Sequence, residues 1–133
     1  MIEFRVKGLP VALKRPRMTR RGIVYDPSKK EKQVFDLKCR KHRPEKAWTG
    51  PIKIEIIFYF KRPPSHIKKD LRLRKNAPEH HTAKPDIDNL VKFVLDALKG
   101  FYIDERQIIV LKASKCYMYG VSSTYIKINK FES

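Results

Sequence analysis

The chain has 133 residues, with 31 Lys or Arg against 14 Asp or Glu, a formal net charge of +17. Hydrophobic residues reach 41%, enough for a core in one domain spanning 1–133 and too many for a disordered basic tail. No apolar run is long enough to span a bilayer, Glu3 and Arg5 interrupt any signal-peptide-like start, and Cys39 and Cys116 form no Cys-x-x-Cys pattern. Together these exclude a membrane span, a disulfide scaffold and a zinc ribbon, and predict a cytoplasmic protein with a polyanionic partner.

Ile2–Val6 alternates apolar and polar residues and predicts an opening strand. Lys14–Arg21 then holds five bases (Lys14, Arg15, Arg17, Arg20 and Arg21) and no acid. Arg15–Asp26 predicts a basic strand pair that turns at Arg21-Gly22. Asp26-Pro27 opens a helix that runs through Val34, Phe35, Leu37 and Cys39 to about Arg43, ahead of Pro44. Ile52–Phe60 is the clearest strand, with Ile52, Ile54, Ile56, Phe58 and Phe60 on one face.

Lys61–Pro85 carries Pro63, Pro64, Pro78 and Pro85 and reads as a long connection, with a short helix expected within Ser65–Lys75. Its bases include Lys68, Lys69, Arg72, Arg74, Lys75 and Lys84. Asp86–Lys99 is the best-defined helix, its buried stripe assigned to Ile87, Leu90, Val91, Val94, Leu95 and Leu98, and Gly100 caps it. Gln107–Ser114 and Tyr125–Phe131 are expected as an antiparallel pair of closing strands. The order predicts an α+β fold with a mixed β-sheet and two main helices.

The bases give counterion-release affinity for a phosphate backbone. The eleven residues Lys14, Arg15, Arg17, Arg20, Arg21, Lys68, Lys69, Arg72, Arg74, Lys75 and Lys84 form the expected nucleic-acid-binding set. Asp86–Glu105, by contrast, holds five of the 14 acids. An acidic island would repel DNA unless a cation lay between them. Asp86 and Asp88 stand where an extended segment enters a helix, so two carboxylates can converge at the positive end of the helix dipole. Hard oxygen donors without His or Cys suit Mg²⁺ or Mn²⁺, ions that promote phosphodiester hydrolysis. Each residue also has a purely structural role open to it: Asp86 as an N-cap, Asp88 as a dipole partner, Lys92 and Asp96 as an ion-pair ladder, Asp104 and Glu105 as turn residues. His80-His81 reads as loop polarity, Trp48, Phe101 and Tyr102 as packing residues, and the two cysteines as free thiols.

Lys84-Pro85-Asp86-Ile87-Asp88-Asn89-Leu90-Val91-Lys92, Leu95-Asp96-Ala97-Leu98, Gly100, Tyr102 and Asp104-Glu105-Arg106-Gln107-Ile108 resemble the RusA-type Holliday-junction resolvases. The resemblance implies a homodimeric, Mg²⁺-dependent endodeoxyribonuclease, with Mn²⁺ as a substitute, that nicks four-way DNA junctions in pairs during recombination and repair. It implies metal binding by Asp86 and Asp88, a catalytic Lys92, and a third carboxylate from Asp104 or Glu105, where the family carries an Asp-Asp pair. Asn89 and Asp96 would support those ligands. The setting implied is bacterial, or a phage or prophage. The competing readings are a non-catalytic nucleic-acid-binding module and a nuclease for other branched DNA.

Overall fold

The computed structural model describes residues 1–131. Its eight regular elements are β1 (Ile2–Lys7), β2 (Arg17–Met18), β3 (Val24–Tyr25), α1 (Lys29–Arg40), β4 (Ile52–Lys61), α2 (Ile87–Ala97), β5 (Ile108–Met118) and β6 (Ser123–Lys130). Four strands form a mixed sheet in the order β1-β6-β4-β5, and β2 and β3 form a separate two-stranded ribbon. The α+β architecture with two main helices is as expected.

β4 is the central strand because its alternation is the strongest in the chain. Ile52, Ile54, Ile56, Phe58 and Phe60 are all buried, while Lys53 and Lys61 on the other face are exposed. β4 pairs antiparallel with β6 and parallel with β5. The closing strands therefore do not pair with each other, and the expected β5–β6 hairpin is replaced by a hop across the end of β4. Four residues, Tyr119–Ser122, make that hop, and Ser122 Oγ accepts from Lys61 N at 2.8 Å. Such a linker reaches the roughly 10 Å needed to skip one strand. β5 also runs on to Met118, beyond the expected Ser114.

α2 packs on the core through Leu90, Phe93, Val94, Ala97 and Leu98. The buried stripe is thus rotated from the expected one. Ile87 faces outward, Val91 and Leu95 lie at its margin, and Phe93 turns inward and is buried. Phe93 meets Phe35 of α1 edge-on, with ring centroids 5.5 Å apart. α1 ends at Arg40; it buries Cys39 completely and leaves Val34 and Leu37 exposed. Burial pushes the Cys39 thiol up to about 12. Phe101 and Tyr102 are core residues, and Trp48 packs against the same core.

The connection between β4 and α2 is more ordered than a loop and less helical than expected. One 3₁₀ turn, Pro64–His66, replaces the short helix. Lys68 N then donates to Arg72 O at 2.8 Å, and Arg74 N to His66 O at 2.9 Å. Farther on, Tyr117 N donates to Glu79 O at 3.0 Å and His81 N to Lys115 O at 3.1 Å. These bonds lay the connection along the outer edge of β5, beside Cys116, and cover part of an otherwise open sheet edge. His81 is a packing residue and not mere loop polarity. It stacks on Phe60 at 3.9 Å, and burial lowers its pKa.

Replacing Phe93 with Ala removes a ring that is 1% exposed and joins both helices. Urea denaturation should show a loss of about 3–5 kcal/mol.

Candidate active site

A parallel pair cannot be joined by a hairpin, so the chain must cross back between β4 and β5. α2 makes the return, running antiparallel to both strands. Its N-terminus therefore sits at the end where β4 and β5 finish, and its C-terminus where they start.

Asp86 is the N-cap residue of α2, with extended backbone (φ −70°, ψ 144°). Its carbonyl accepts from Leu90 N at 3.2 Å, but its carboxylate makes no capping hydrogen bond. The capping role open to Asp86 is therefore not the one its side chain takes. Asp88 lies in the first helical turn. Both residues are exposed, and among the described residues neither carboxylate enters an ion pair. Two free carboxylates two positions apart, on a chain of charge +17, leave their attraction for a cation unsatisfied.

Lys92 is exposed one turn beyond Asp88. The structural alternative of a Lys92–Asp96 ladder does not form, because Asp96 is held by Lys32 of α1 at 3.2 Å. Lys32 also binds Asp26 at 2.7 Å, and that contact lowers the Asp26 pKa. Asp96 thus joins α1 to α2 and lies away from Asp86, so it does not stand behind the carboxylate pair. Asn89 does stay close, half-buried, with its carbonyl accepting from Leu13 N at 3.0 Å.

Asp104 and Glu105 differ sharply. Asp104 accepts from Arg106 N at 2.8 Å and Arg106 Nε at 3.1 Å. Gln107 closes a reciprocal capping box with it, and the Arg106 side chain holds the Asp104 carboxyl below its usual range. Glu105 is exposed and, among the described residues, in no ion pair. It shares a shallow polar cavity with Asp96, Lys99 and Tyr102. The Tyr102 hydroxyl is buried there without a hydrogen-bond partner, and burial, then the Glu105 and Asp96 charges, raise its pKa.

This second acidic group lies at the wrong end of α2 to join the first. The helix has 11 residues, which at 1.5 Å per residue separates its ends by about 16 Å. Accordingly, among the described residues no three His, Cys, Asp or Glu side chains converge to hold a metal ion. The expected set of Asp86, Asp88, Asp104 and Glu105 is therefore divided within one chain. The pair at Asp86 and Asp88 still suits a hard divalent cation. Mg²⁺ is commonly held by one or two protein carboxylates, with water and substrate phosphate oxygens completing its shell.

The bases frame that same end. Lys14, Arg15, Arg17, Arg20 and Arg21, on and before the β2–β3 ribbon, are all exposed, as are Lys68, Lys69, Arg72, Arg74, Lys75 and Lys84. Only Arg72 among them is in an ion pair within the described residues, with Asp70 at 3.3 Å. The Leu13–Asn89 bond ties the root of the ribbon to the first turn of α2, and the connection enters α2 directly. One contact that sequence reading missed secures this entry: Lys115 Nζ of β5 donates to the carbonyls of Ala83 and Pro85, each at 2.7 Å. Nothing in the spacing of β5 marks Lys115 apart from its neighbouring bases. No helix among the described residues is long and apolar enough to cross a membrane.

A comparison with curated proteins finds a relative 41% identical over 124 residues, covering 87% of each chain, the uncharacterized protein YqaN of Bacillus subtilis (strain 168). A family model, endodeoxyribonuclease RusA, matches residues 7–129, which takes in the ribbon, both helices, β4, β5 and all but the last residue of β6, and leaves out β1 before Lys7. With that match over nearly its whole length, the chain belongs to the RusA endodeoxyribonuclease family.

Proposed function

We propose that this nuclease is a Mg²⁺-dependent, structure-selective endodeoxyribonuclease that resolves four-way DNA junctions by paired nicks, in recombination and repair. The observation that carries the reading is the free carboxylate pair Asp86 and Asp88 at the N-terminus of α2, framed by two exposed basic segments. Asp96 and Asp104, the other aspartates of this stretch, are instead engaged by Lys32 and Arg106. A divalent cation, Mg²⁺ or Mn²⁺, supplies charge neutralisation and a more acidic water at a phosphodiester.

In this reading Asp86 and Asp88 hold the cation, and Asn89 orients them from the same turn. Lys92, on the Asp88 face of α2, donates to a phosphate oxygen as negative charge grows there. The ribbon bases and those of the 61–85 connection neutralise the flanking backbone and set its approach. The cleavage assay that tests the reading uses a synthetic four-way junction, with flap and duplex controls, with Mg²⁺ supplied or chelated. Mg²⁺-dependent symmetric nicking of the junction supports it. Binding without cleavage would leave a nucleic-acid-binding module, and preference for flaps would change the substrate.

A homodimer matches a junction with two strands to cut. It also offers Glu105 a route to the site, because a second subunit can present its Glu105 where the same chain's cannot reach. Asp88→Asn and Glu105→Ala should each be inactive alone. Mixed and re-equilibrated, half the dimers would carry one intact shared site, so nicking should return to about a quarter of wild type. No recovery on mixing would place Glu105 outside the site.

Asp88→Asn should slow cleavage at least tenfold, about 1.4 kcal/mol of barrier, with junction binding unchanged or tighter, since a ligand and a repulsive charge go together. Replacing Arg72, Arg74 and Lys75 by Ala should instead weaken binding. The log–log salt dependence measured by anisotropy should flatten by about one unit for each phosphate that is no longer neutralised.

A further inference from the structure

We propose that Lys115 is the positioning residue for the carboxylate pair, holding the last residues of the connection so that Asp86 and Asp88 leave it in one fixed direction. The proposal rests on the reading of Asp86 and Asp88 as the cation-binding pair. Lys115 grips the connection by both of its polar ends. Its carbonyl accepts from His81 N at 3.1 Å, and its ammonium donates at 2.7 Å to both Ala83 O and Pro85 O. Residues 81–85 are thereby held at three points by a single residue.

The anchor itself is rigid, because Lys115 lies in the parallel ladder opposite Phe58, and Phe58 is buried in the core. The grip ends immediately before Asp86, whose own carboxylate takes no cap. Nothing on the Asp86 side chain therefore fixes it, and its aim is inherited from the backbone that Lys115 holds. Charge-assisted bonds of this length are the strong kind, and a binding constellation tolerates misplacement of only about 0.5 Å. Lys115 also differs from the DNA-facing bases. Its ammonium is directed onto carbonyls of its own chain, so two of its three donors are already engaged and cannot reach phosphate.

The test compares the full chain with Lys115→Met and Lys115→Arg. Mn²⁺ binding is measured by electron paramagnetic resonance without DNA, junction affinity by anisotropy in chelator, and single-turnover cleavage at saturating junction. We expect Lys115→Met to weaken Mn²⁺ binding about tenfold and slow cleavage by a similar factor, with junction affinity kept within about twofold. Lys115→Arg, whose planar fork can span two carbonyls, should recover Mn²⁺ binding to within about threefold of wild type. Mn²⁺ binding by Lys115→Met within twofold of wild type would overturn the proposal, whatever happens to cleavage. So would a loss of junction affinity alone, which marks a general phosphate contact. If the wild-type chain binds Mn²⁺ but cuts no branched DNA, the proposed reaction fails while Lys115 is still judged on the Mn²⁺ arm. If Lys115→Met does not fold, by its thermal melting, Lys115→Gln, which keeps a shorter, uncharged donor group, carries the same Mn²⁺ comparison.

Discussion

The parallel pairing of β4 with β5 is the constraint on which the rest of the molecule depends. It forces a return across the sheet, and the return is α2, packed against the core and α1 and open to solvent on its remaining face. The helix then divides the five acids of Asp86–Glu105 into two groups, one towards each of its ends. The group at the N-terminus meets the positive end of the helix dipole and two exposed basic segments. The group at the C-terminus meets Lys99 and the buried Tyr102 hydroxyl. One topological choice thus decides which carboxylates can share a cation within a chain.

The long connection follows from the same pairing. β5 is an edge strand, and an open edge invites pairing with other chains. The connection covers the part of that edge near Cys116, and Arg62 secures it by donating to Pro78 O at 2.6 Å while lying over the Tyr117 ring. A segment rich in like charges is in this way tied down at its two ends, and its most basic portion, Lys68–Lys75, is left facing solvent. Backbone attachment and phosphate attraction are separated along the chain.

Much of this is legible from the residues. The alternation of β4, the ribbon turning at Gly22, the helix after Pro85 and its end near Gly100 all follow from local patterns that tertiary contacts reinforce. Sequence reading fails where the pattern does not carry the information. Two strands close together in sequence are the expected pair, but β4 offers a better apolar face and takes the place between them. The helical stripe is misassigned because Ile87 is as apolar as Phe93; only the partner ring, Phe35, decides which of them turns inward. The two candidate carboxylates Asp104 and Glu105 are indistinguishable by type, and the capping box separates them. That α2 parts Glu105 from Asp86 depends on strand direction, which spacing does not encode. Lys115 is invisible for a related reason: what it touches is brought to it by the fold.

The two thiols illustrate what burial does to chemically equal groups. Cys39 is wholly enclosed and its thiolate strongly disfavoured, which makes it inert towards electrophiles. Cys116 is only partly covered and lies across from His80, where the connection rests on β5. A thiol reagent should therefore reach Cys116 first, which puts the labelling position at the seam between connection and sheet. A fluorophore or spin label placed there would report whether that seam stays closed when DNA arrives, with no cysteine having to be removed.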